Sequence, residues 1–177
     1  RMFLAGQVAY AIVFEDDIDI PSGTFAKLKA IVAKLDEFYG EKWDCVNFGS
    51  RQRPGFQDTA FTESGIEVRR STYMPLSTPG IIWSRAGAEA YLSSIFGQKI
   101  RGPGDTEMRS HFARRGRSFV PVDPMTSRLD FSSEIAVSGS RAQHKGRKGS
   151  SARSKILRHF PDYLNAYIML RYRRFVK

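Results

Sequence analysis

From Val8 to Phe14 every residue is apolar, the pattern of a strand covered on both faces. The stretch that follows, "PSGTFAKLKAIVAKLDEFYG", changes period. Phe25, Leu28, Ile31, Val32, Leu35 and Tyr39 recur at helical spacing, Ser22 or Thr24 can cap the start and Gly40 can end it. "WDCVNFG" (Trp43 to Gly49) reads as the next strand, so strand, helix, strand points to an α/β sandwich. Arg51 to Ser64 is polar, carries Pro54 and Gly55, and reads as a long loop. "IEVRRSTYM" and "TPGIIWS" are strands by pattern, Ser84 caps a helix "RAGAEAYLSSIF", "RGPGD" turns into a helix "TEMRSHFARRG" stopped by Gly116, and "SFVPVDP" is a last strand.

Composition changes near Ser138. Residues 1–137 form one folded unit, 138–155 ("SGSRAQHKGRKGSSARSK") a basic segment with almost nothing to bury, and 156–177 an apolar but basic helical tail. With 177 residues and 41% apolar content, one sizeable core is expected. Cys45 is the single cysteine, which rules out an internal disulfide and a cysteine-rich zinc site and fits a reducing, cytoplasmic compartment. No apolar run approaches the roughly 20 residues that span a bilayer. Arg1 is not an initiator methionine and no leader pattern follows it, so the reading expects an N-terminally incomplete domain without a signal peptide. The net charge of +10 favours anionic partners: phosphorylated ligands, acidic membrane surfaces or nucleic acid.

The sharpest chemical signal is "AYAIVFEDDIDIPSG", an apolar strand ending in Glu15, Asp16 and Asp17. If the extended conformation continues, Glu15 and Asp17 share one face and Asp16 takes the other. In an open α/β sheet ligands bind beyond the carboxyl ends of strands, which is where the trio falls. Converging hard carboxylates suit Mg²⁺ or Mn²⁺, which would relieve their repulsion and bridge to a diphosphate. The alternative is that the trio caps the next helix or faces water.

The segment "AYAIVFEDDIDIPSGTFAKL" resembles the acidic-motif region of glycosyltransferase family 25, enzymes of lipooligosaccharide (lipopolysaccharide) biosynthesis and collagen galactosylation. The likeness continues in order through "WDCVNFG", "STPGIIWSRAGAEAYL", "GPGDTEM" and "SFVPVDPMTSRLDFSSEI", covering Val8 to Ile135. The resemblance implies a GT-A-type nucleotide-sugar-binding sandwich with a mixed, mainly parallel sheet. It also implies metal-dependent, inverting transfer of a sugar, often galactose from UDP-galactose, onto a glycan or glycolipid acceptor. Carried over, Glu15, Asp16 and Asp17 are the cofactor-binding motif, with Asp17 the direct metal ligand and Glu15 assisting through water or at the donor ribose. Family members begin with a further strand and an arginine-bearing helix ahead of the acidic step, so the sheet is expected to lack its first strand.

An inverting transfer needs a base for the acceptor hydroxyl. Asp105 in "GPGD" is the candidate, with Glu107 behind it; the alternative is that Asp105 caps the helix from Thr106. Asp130 is a second carboxylate, otherwise a turn residue. Thr78, Pro79 and Gly80 are candidate acceptor-site residues, Gly80 allowing close approach to its backbone, or else form a plain turn. Trp83 is either a sugar platform or core, and Arg85 either a phosphate contact or a solvated base. His111, His144 and His159 are too scattered for a metal cluster; His144 alone is a candidate late ligand. The tail, with Ile156, Phe160, Leu164, Tyr167, Ile168 and Leu170 among arginines, reads as a peripheral membrane surface at the inner face of the cytoplasmic membrane or as a terminal helix packed on the core. Two further readings compete with the enzyme: a basic nucleic-acid-binding module and a catalytically inactive family member that binds a partner.

Overall fold

Leu28, Ile31 and Leu35 lie one helical turn apart, and all three are buried against a β-sheet. The computed structural model of the chain describes residues 2–51, 57–75, 77–95 and 104–129, and residues 160–161, 163–164 and 166–168. The elements in chain order are α1 (Met2–Ala5), β1 (Tyr10–Phe14), β2 (Ile18–Asp19), α2 (Thr24–Tyr39), β3 (Cys45–Asn47), β4 (Gln57–Glu63), β5 (Ile66–Ser71), β6 (Gly80–Ser84), α3 (Arg85–Ile95), α4 (Gly104–Arg115), β7 (Ser118–Pro121) and β8 (Ser127–Arg128). Residues 160–168 include further helical positions. Asp130, His144, His159, the segment 138–155 and most of 156–177 lie outside the described residues.

Six strands form one mixed sheet in the order β1-β6-β3-β7-β5-β4, and β2 pairs with β8 in a small separate ribbon. The α/β class holds, but the sheet is not mainly parallel: β3–β7 is its one parallel pair. The reason lies in the strand order. β1, β3, β7 and β4 all point the same way, yet antiparallel β6 separates β1 from β3 and antiparallel β5 separates β7 from β4. Strand direction is therefore largely uniform while neighbour pairing is not.

Alternation along the strands divides two cores. Val46, Phe48, Val68, Ile82 and Phe119 turn to α2, and Cys45, Ile81 and Trp83 turn to Met108 and Phe112 of α4. Burial pushes the Cys45 thiol well above its usual range, as expected of a structural cysteine.

Three sequence expectations need correction. First, β1 is not covered on both faces. It is an edge strand, and Val8, Ile12 and Val13 are 58%, 40% and 54% exposed. The bonds Arg85 N–H to Ala9 O and Glu15 N–H to Pro79 O, both 3.0 Å, place the inward-bonded pairs at odd positions. The backbone groups of Tyr10, Ile12 and Phe14 consequently face outward along the edge. Second, Arg51 to Ser64 is not all loop, since β4 pairs with β5 across a two-residue turn. Ser64 and Gly65, at φ 50° and 74°, are the left-handed pair of a type I′ hairpin. Third, neither Ser22 nor Thr24 caps α2. Gly23 takes the N-cap position with φ 81° and no side-chain cap bond, while Thr24 Oγ1 donates to Met125 O at 3.4 Å. Other end signals stand: Ser84 Oγ accepts from Gly87 N–H at 3.0 Å, and Gly40 and Gly116 close their helices.

Gly87, in the first turn of α3, sits directly on the chain at Asp44. A Cβ there would lie 2.1 Å from Asp44 O, a backbone atom with nowhere to go. An ordinary helical Gly→Ala change stabilises by up to about 1 kcal/mol. Gly87→Ala is expected to do the reverse, costing about 2–3 kcal/mol and lowering the thermal midpoint by roughly 5–10 °C. An unchanged or raised midpoint would show that α3 does not pack this closely.

Candidate functional site

Because β1, β3 and β7 run the same way, the segments after them gather at one end of the sheet, together with the segment that enters antiparallel β6. Residues 15–19, 49–51, 77–80 and 123–129 meet there. Ser77 O accepts from Asn47 Nδ2 at 2.9 Å and from Ser50 Oγ at 2.8 Å, fastening the approach to β6 onto the end of β3. Met125 N–H donates to Phe48 O at 2.7 Å, and Leu129 N–H to Asp17 O at 2.9 Å. The β2–β8 ribbon thus ties the acidic step to the segment after β7.

Glu15 bonds its backbone N–H to Pro79, and its carboxylate accepts from Thr78 Oγ1 at 3.3 Å and from Arg128 Nη2 at 3.2 Å. Part of the repulsion within the acidic trio is therefore relieved by an arginine. This Glu15–Arg128 pair is solvent-accessible, so it contributes at most about 1 kcal/mol to stability. Strand geometry ends at Glu15, because Asp16 and Asp17 form a turn. The expected placement of Glu15 and Asp17 on one face of an extended segment does not occur. Asp16 is exposed, Asp17 half-buried, and neither carboxylate has a hydrogen bond or ion pair among the described residues.

The other candidates separate. Thr78 joins the acidic step directly. Pro79 and Gly80 are buried, and the space a side chain at Gly80 would need is filled by the Phe48 ring, 2.5 Å from a built Cβ. Gly80 is thus explained by packing inside the sheet. Asp105 and Glu107 lie in the first turn of α4, where Asp105 Oδ1 accepts from the Thr106 N–H at 2.7 Å. The C-terminal end of α4 is held by Arg115 at Asp44, ahead of β3, so its start points toward the carboxyl ends of the strands. Among the described residues no hydrogen bond or ion pair joins Asp105 to the acidic step. Trp83 packs among Tyr91 and Phe112 and is core. Arg85 does not face water freely. It donates to the backbone oxygens of Leu4, Gly6 and Val8 and clamps the N-terminal residues onto α3.

Arg128 is the residue the sequence did not single out. Its only local signal was a base ten residues beyond the start of the last predicted strand, and its pairing with Glu15 spans 113 positions. Arg109 was missed for the same reason: buried in α4, it donates to Met74 O at 2.7 Å and to the Tyr73 hydroxyl at 3.1 Å.

Among the described residues no three of His, Cys, Asp and Glu converge into a cage for a metal ion. The donor set at the acidic step is smaller, comprising the carboxylates of Asp16 and Asp17 with Glu15 engaged by Arg128. One or two carboxylates is the protein share that Mg²⁺ or Mn²⁺ takes when phosphates and waters supply the rest. The residues fit an open site of that kind and do not fit an all-protein cage. No protein-family model matches the chain, and no curated protein matches it either.

His111 belongs to the scaffold and not to this site. It is buried between Tyr91 and Phe112, and its Nε2 has no hydrogen-bond partner among the described residues. Burial, and then the nearby Arg115 charge, push its pKa down to about 4 from 6.5. The unfolded chain takes up the proton first as pH falls. Stability is therefore expected to be complete above about pH 6.5 and to fall between there and about pH 4, by up to roughly 1.4 kcal/mol per pH unit. Urea midpoints of wild type and His111→Gln across this range check it: the variant's profile is expected to be flatter, and parallel profiles would assign the acid loss elsewhere.

Proposed function

We propose that the chain is the catalytic part of a metal-dependent, inverting glycosyltransferase of the family 25 type. It would move a hexose, with galactose from UDP-galactose as the first candidate, onto a lipooligosaccharide or related glycan acceptor. The observation that carries this reading is the pair of carboxylates, Asp16 and Asp17, that have no partner among the described residues, at the end of the sheet where β1, β3 and β7 all finish. A GT-A-type arrangement is the finer form of the α/β fold that this reading adopts.

Each residue then has a distinct task. Asp17, half-buried and tied through its backbone to Leu129, is the more rigid of the two free acids and is assigned the direct ligand role. Asp16 adds a second oxygen donor. Bound there, Mn²⁺ or Mg²⁺ would supply positive charge for the departing diphosphate. Glu15 is assigned to holding the turn, through Thr78 and Arg128. Asp105 is the candidate base: the acceptor hydroxyl would attack the anomeric carbon, the bond to the diphosphate oxygen would break, and the hydroxyl proton would pass to the Asp105 carboxylate.

Calorimetric titration with UDP-galactose, with and without Mn²⁺, tests the reading on wild type, Asp17→Asn and Asp105→Asn. Metal-dependent binding is expected in wild type, weakened at least about tenfold in Asp17→Asn, and kept in Asp105→Asn, which instead loses transfer by about 10²–10⁴-fold. Absence of metal-dependent binding would falsify the proposal. Salt-sensitive binding to random DNA that survives Asp17→Asn would favour a nucleic-acid-binding module in its place.

A further inference from the structure

The helical positions within 160–168 pack on the rest of the protein at Tyr163 and Ala166. Tyr163 stacks on Tyr73 with ring centroids 4.7 Å apart, and Ala166 is completely buried beside Ala113. Phe160, Leu164, Tyr167 and Ile168 follow the spacing i, i+4, i+7, i+8 and so share one stripe, rotated away from Tyr163 and Ala166. They are 55%, 46%, 49% and 44% exposed. Four large apolar side chains side by side on the surface of one helix mark a contact surface more than ordinary scattered exposure does.

The sequence around the stripe says what that contact is. Arg153, Lys155 and Arg158 precede it, Arg171, Arg173, Arg174 and Lys177 follow it, and Asp162 is the single acid between positions 153 and 177. We propose that this stripe is an interfacial docking surface for an anionic lipid bilayer. Its apolar side chains would enter the headgroup–acyl boundary, with the flanking bases at the headgroups. A second copy would set the same seven bases against themselves, and nucleic acid would use the bases but leave the apolar stripe in water. A lipid surface uses both. The proposal stands on the stripe and its charges and does not depend on the transfer reading.

Sedimentation of the full chain with vesicles tests it, using phosphatidylcholine alone or mixed with phosphatidylglycerol. Binding is expected to the mixed vesicles and not to phosphatidylcholine alone. It should weaken at least about tenfold in Leu164→Gln/Ile168→Gln, and by roughly fivefold for each base lost in Arg173→Gln/Arg174→Gln. Phe160→Trp, at an exposed position, gives a reading that does not depend on those variants folding: its emission should shift to the blue on mixed vesicles only. The proposal is overturned by no binding to mixed vesicles, by equal binding to both kinds, or by binding that ignores the loss of Leu164 and Ile168. A self-association abolished by the same double variant, without vesicle binding, would assign the stripe to a second copy.

Discussion

One buried ion pair fixes the amino ends of the central strands. Asp44 is wholly enclosed, and Arg115 grips both its oxygens, at 2.6 and 2.9 Å. The backbone of the same residue is equally committed: its N–H donates to Arg117 O, and its oxygen accepts from both the Ser84 N–H and Ser84 Oγ. One residue therefore joins the lead into β3, the end of β6, the start of α3 and the end of α4. A buried carboxylate without its arginine would be costly, which makes this joint all-or-none. Everything at the far end of the sheet inherits its register from here.

That far end is built by exclusion. Gly49 and Gly80 have no side chains because Pro79, the Gly80 backbone and the Phe48 ring occupy the space a Cβ would take. The antiparallel β6 can then slot between β1 and β3 and bring Thr78 beside Glu15. The acidic step is held from two directions, by the entry to β6 and by the ribbon with Arg128, while among the described residues the Asp16 and Asp17 carboxylates have no partner. The proposed cation site rests on those two carboxylates having no partner among the described residues.

Local pattern made much of this legible. Leu28, Ile31 and Leu35 declared α2, Ser84 declared the start of α3, and the break after Phe14 marked where the chemistry gathers. Pairing between distant segments was not legible. β4 was hidden because only Phe61 along it is buried, and its two apolar residues, Ala60 and Phe61, are adjacent and so show no alternation. The run of apolar residues in β1 suggested cover on both faces, whereas its position at the sheet edge is a property of strand order. Arg128 and Arg109 acquire their roles from contacts 113 and 35 positions away, which no local window contains. The turn at Asp16 and Asp17 likewise depends on the ribbon with β8, and so the expected alternation of the three acids failed at its second member.

The outward row of backbone groups at Tyr10, Ile12 and Phe14 has a bearing on how crowded copies of this chain behave. A bare margin of a sheet is a template on which an identical margin can zip, and the neighbouring Val8 and Val13 would reward it. In parallel register that zipping would align Glu15, Asp16 and Asp17 of one copy with the same three residues of the next, stacking negative charge on negative charge. The acids at the strand's end thus oppose in-register parallel pairing of two such edges.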